Sequence, residues 1–115
     1  MEPTIEHLTK AAAIVGELDQ KELTGKGHCR EVVSVRQALM WVAHRELGLS
    51  TVEIGKFLHR EHTTVLYGVR CVQKRIYTNS EETLRLIEKI THGMHLLAKG
   101  GTLPPVGRLP PPVRA

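Results

Sequence analysis

Residues 50–67 read Ser50-Thr51-Val52-Glu53-Ile54-Gly55-Lys56-Phe57-Leu58-His59-Arg60-Glu61-His62-Thr63-Thr64-Val65-Leu66-Tyr67. The stretch opens on a Ser-x-x-Glu box. The serine oxygen can accept the N–H of the third helical residue and the glutamate can accept the serine N–H, so a helix begins at residue 51. Val52, Ile54, Phe57 and Leu58 give it an apolar side over about 51–58. His59-Arg60-Glu61 reads as a tight turn. Val65, Leu66, Val69, Val72 and Ile76 then recur at helical spacing across 62–77. A short capped helix, a three-residue turn and a longer helix make the outline of a helix-turn-helix. The fold class expected is all-α, a small domain of about five to six helices containing that pair at about 50–77.

The flanks agree. Val32, Val35, Leu39, Val42 and Ala43 predict a helix over roughly 31–47, stopped by Gly48. Before it, residues 24–30 form a loop with two glycines. Asp19-x-x-Glu22 starts a short turn of helix ending near Leu23. Thr4 caps a first helix with Ile5, Leu8, Ala12 and Val15 facing inward and Gly16 as its stop. Downstream, Asn79 or Ser80 caps a last helix with Leu84, Ile87, Ile90, Thr91 and Met94 inward, ended by Gly100-Gly101. All six prolines lie outside residues 4–103, which suits a helical domain because proline breaks helix interiors. The chain therefore divides into a helical domain at 1–101 and a Pro-rich tail at 102–115, expected to be disordered or polyproline-like.

Composition narrows the function classes. Hydrophobic residues are 41% of the 115, enough for one small core, and aromatics only 3%, so that core must be aliphatic. No apolar run approaches the roughly 20 residues of a membrane span, and no signal peptide opens the chain. With two cysteines, Cys29 and Cys71, a disulfide framework is not expected; the reading is a reduced, cytoplasmic protein. Charge is uneven. Residues 1–23 carry a net −3, residues 24–79 a net +5 and residues 80–115 a net +2. The excess sits around the helix pair, as a polyanion partner would require; a solvated surface is the alternative.

In a helix-turn-helix the first helix braces the second, whose N-terminal residues enter the major groove. Here those residues are Glu61, His62, Thr63 and Thr64. A glutamate can accept from the cytosine amino group, and a threonine methyl can touch that of thymine. The same pattern also occurs as a plain corner in a helical bundle, so two readings stand: sequence-specific DNA binding, or a helical protein-interaction module that does not bind DNA.

The residues Ser34-Val35-Arg36-Gln37-Ala38-Leu39-Met40, then Leu49-Ser50-Thr51-Val52-Glu53-Ile54-Gly55, then Arg60-Glu61-His62-Thr63-Thr64-Val65-Leu66-Tyr67 resemble the C-terminal DNA-binding domain of the bacterial chromosomal replication initiator (DnaA) family. The resemblance covers about residues 4–98. It implies specific binding to a short box in double-stranded DNA, in regulation of replication or transcription. Glu61, His62, Thr63 and Thr64 become base or near-base readers. Arg36, Gln37 and Arg60 become phosphate or groove-edge contacts. Thr51, at a helix N-terminus, holds a phosphate through free N–H groups. The basic loop supplies the minor-groove contact, with His28 at the place of the family's arginine and Lys26 and Arg30 beside it. The protein is expected to act as a monomer on DNA, with a full-length replication initiator or its boxes as a further partner and with no membrane partner.

Three departures stand out. Glu61 replaces an aspartate. The turn at 58–61 is one residue shorter than the common form and lacks its glycine, with His59 in its place. The loop is thinly basic. The family's ATPase is also missing: Thr24-Gly25-Lys26-Gly27 lacks the leading glycine and following hydroxyl of a phosphate loop. The expectation is a stand-alone binding domain, with no catalytic residues, no cofactor and no metal. His59/His62 and His92/His95 are spaced one turn apart but have no third ligand at an obvious position.

Overall fold

In the computed structural model, which describes residues 3–25 and 30–101, six helices carry the described chain. They are α1 (Ile5–Gly16), α2 (Gln20–Thr24), α3 (Arg30–Arg45), α4 (Thr51–Leu58), α5 (His62–Tyr77) and α6 (Glu81–Ala98). The all-α expectation holds, and the proposed tail, with Lys26 and His28, lies outside the described residues. No described helix is long and apolar enough to cross a membrane.

The central element is α3, which touches every other helix. α1 and α6 pack closely together against it, as do α4 and α5. Leu8, Leu39, Met40, Ile54, Leu58, Val65, Ile90 and Met94 are fully or almost fully buried. The core is aliphatic, as the scarcity of aromatics requires. Phe57 and Trp41 pack only partly against it, and Trp41 donates its indole N–H to Gln73 Oε1 at 3.2 Å. Leu39 is wholly enclosed, and cutting it to alanine should cost about 2–5 kcal/mol.

Capping residues fix the helix starts. Ser50 Oγ accepts the Glu53 N–H at 3.1 Å while Glu53 Oε1 accepts the Ser50 N–H at 3.3 Å, the expected box. Ser80, rather than Asn79, caps α6, its Oγ accepting the Thr83 N–H at 3.4 Å.

Two local readings are corrected and one is refined. α1 ends at Gly16 as expected, but the left-handed residue that closes it is Glu17, at φ 58°. Gly16 itself is a packing position, where a Cβ would stand 2.8 Å from Val35 Cγ2 and push α1 off α3. On α6, Leu84 is 40% exposed and Thr83 turns inward, because the buried row runs through Thr83, Ile90 and Met94. On α5, Leu66 is 36% exposed, leaving Val65, Val69 and Val72 to anchor the helix.

Candidate nucleic-acid interface

The turn between α4 and α5 sets the angle of the second helix. His59 ends α4 in the left-handed region, φ 57° and ψ 44°, a conformation histidine tolerates better than most residues. The Arg60 N–H then donates back to the Gly55 carbonyl at 2.8 Å. This tightness depends on Gly55, where a Cβ would lie 2.5 Å from the Arg60 carbonyl oxygen. The turn closes because position 55 has no side chain.

Glu61 is the N-cap of α5, but its carboxylate makes no cap hydrogen bond. Glu61, His62, Thr63 and Thr64 are all exposed. Behind them Val65 is fully buried, so the helix is held by its apolar side while its first polar turn projects. Along its outer side α5 also exposes Tyr67, Arg70 and Lys74, and its sequence contains no carboxylate. The Cys71 thiol, one turn on, holds the Tyr67 phenol above its usual range through a side-chain hydrogen bond.

A groove of about 480 Å³ runs between α3 and α5, floored by Val33 and Met40 and edged by Arg36, Gln37, Arg60, Thr64 and Tyr67. Gln37 Oε1 is buried beside it with no hydrogen-bond partner, an acceptor that a bound group could satisfy. The structure thus brings Gln37, Arg60 and Thr64 to one groove. Tyr67, 66% exposed, joins them without having been expected. Its signal was its position three residues beyond Thr64 in a chain with few aromatics.

Other expected residues lie elsewhere. Thr51 is the first residue of α4, half-buried and outside that groove. Arg30, at the start of α3, edges a separate cleft of about 220 Å³ with Ser34, Arg75 and Ser80.

Arg36 has a different setting from a surface contact. It is only 5% exposed. Its Nε donates to the Leu23 carbonyl at 2.9 Å, and Nη2 donates to the carbonyls of Glu22 at 2.8 Å and Gly25 at 3.2 Å. These acceptors lie at the end of α2, where carbonyls lack helical partners and a cation is favoured. Arg60 reaches the same place, its Nη2 donating to the Gly25 carbonyl. Burial, and then the neighbouring Arg60 charge, pull the Arg36 pKa below its usual value, though a guanidinium remains a cation.

Residues 5–72, from α1 through most of α5, match the family described as the bacterial dnaA protein helix-turn-helix. Over 65 residues the chain is 51% identical to the chromosomal replication initiator protein DnaA of Thermomicrobium roseum, covering 56% of this chain and 14% of that protein. It is 32% identical over 82 residues to the chromosomal replication initiator protein DnaA 1 of Chlamydia pneumoniae, covering 71% and 18%. It is 40% identical over 78 residues to the chromosomal replication initiator protein DnaA of Thermus thermophilus, covering 67% and 18%. The matched region spans under a fifth of the length of each of these curated relatives.

Proposed function

As the chain belongs to the bacterial DnaA helix-turn-helix family, we propose that it binds a short specific sequence in duplex DNA, in the control of replication. The observation that supports this most is the projecting first turn of α5, polar and exposed beside a groove edged by cationic and amide groups. In this reading Thr63 and Thr64 offer methyl and hydroxyl groups to base edges in the major groove. Glu61 accepts from a cytosine amino group, and His62 reads beside it. Gln37 meets a phosphate that flanks the groove, and the N-terminus of α4 at Thr51 takes another. Residues 26–30, with Lys26, His28 and Arg30, serve the adjacent minor groove; histidine at 28 meets its negative potential less strongly than arginine would.

The role is binding rather than catalysis, with one copy per site. The sites would be shared with full-length initiators, so competition for them follows. Selection of bound duplexes from a random pool tests the reading. It predicts enrichment of one short motif. No enrichment would favour the protein-interaction module instead.

A further inference from the structure

Resting on the DNA-binding reading above, we propose that Arg36 and Arg60 are positioning residues, a clamp that fixes the end of α2 against the start of α5 through the Gly25 carbonyl. Three observations carry this. First, Arg36 is buried, and two of its nitrogens are committed to carbonyls of residues 22, 23 and 25. A phosphate contact would have to break bonds that close an otherwise open helix end. Second, Arg60 stands directly before the N-cap of α5, yet its guanidinium donates to Gly25, 35 positions away in sequence. Third, the two like charges converge on one oxygen. That arrangement is unfavourable unless the carbonyl accepts from both.

The clamp connects the two sides of the proposed interface. Gly25 is the C-cap of α2, and Glu61 is the N-cap of the helix proposed to read the major groove. Holding their separation fixes how far apart along the duplex the two sides act. An ammonium group cannot replace the guanidinium, because it is a point charge without the planar fork that reaches several acceptors. Gly25 also has a steric requirement: a Cβ there would lie 2.8 Å from the Lys21 carbonyl oxygen, so a side chain would move the shared acceptor.

The test compares wild type with Arg36→Gln, Arg36→Lys and Gly25→Ala, by salt titration on the enriched duplex and by selection from the random pool. Arg36→Gln should bind about tenfold more weakly with an unchanged salt slope, since no phosphate contact is lost. In selection, preference at the bases opposite Thr63 should persist while the far end of the motif flattens. A loss of stability alone would weaken all positions together. Arg36→Lys and Gly25→Ala, which retain every positive charge, should give the same profile, and they decide the matter if Arg36→Gln does not fold. A slope reduced by about one in Arg36→Gln, or Arg36→Lys indistinguishable from wild type, would overturn the clamp in favour of a phosphate contact. An unflattened motif in the variants overturns it as well. Failure of wild type to enrich any motif removes the DNA-binding reading, and the clamp with it.

Discussion

Arg36 and Arg60, one on α3 and the other in the turn before α5, donate to the same acceptor, the carbonyl oxygen of Gly25. The contact ties together three pieces of chain that are distant in sequence. It makes the helix-turn-helix part of a larger unit that includes α2. The energetic consequences lie in the turn, the charge distribution and the exposed end of α5.

Gly55→Ala should destabilise the fold. The added Cβ meets backbone, the Arg60 carbonyl, which cannot rotate away as a side chain can. Overpacking of this kind costs about 1–3 kcal/mol. A thermal melt followed by circular dichroism should show a midpoint lower by roughly 4–8 °C per kcal/mol. An unchanged midpoint would mean that the turn opens without cost.

His59→Gly should act in the opposite direction. His59 occupies left-handed backbone, which costs an L-residue on the order of 1 kcal/mol and glycine almost nothing. The melting midpoint should rise or stay level. His59→Val should lower it clearly, because a β-branched residue resists this conformation. If valine were tolerated, the turn would have to adopt another geometry in solution.

The helices were largely readable from capping residues and apolar spacing because both signals are local. Ser50 and Glu53 announce α4 whatever the rest of the chain does. The spacing of Leu84 to Ile87 is as good as that of Thr83, so local pattern favours the leucine although the threonine is the buried one. The choice is made by α6 docking on α1 and α3, which local pattern cannot express. The resemblance implies a phosphate or groove-edge contact for Arg36, and no local pattern in the sequence signals that this side chain is enclosed. Its burial is imposed by carbonyls 11 to 14 positions upstream. In contrast, the polar first turn of α5 was readable, since Glu61 to Thr64 have no apolar role to play.

Binding should depend strongly on salt. Residues 24–79 carry a net +5, enough to neutralise several phosphates. If about four to six are neutralised, log affinity should fall against log salt with a slope of roughly −4 to −5. A flat response in a fluorescence anisotropy titration would remove the electrostatic part of the account.

His28→Arg should tighten binding at pH 7.5. Arginine, always charged and carrying a planar fork of donors, meets the minor groove's negative potential more strongly than an imidazole does. Binding unchanged or weakened by the substitution would assign the minor groove to Lys26 or Arg30.

The most direct measurement compares wild type and Thr63→Ala on the enriched duplex and on a scrambled one of equal length and composition. Thr63→Ala should lose about 1–3 kcal/mol on the enriched duplex and nothing on the scrambled one. Equal binding of both duplexes by wild type, or a Thr63→Ala variant that keeps full preference, would contradict the claim that the first turn of α5 reads sequence.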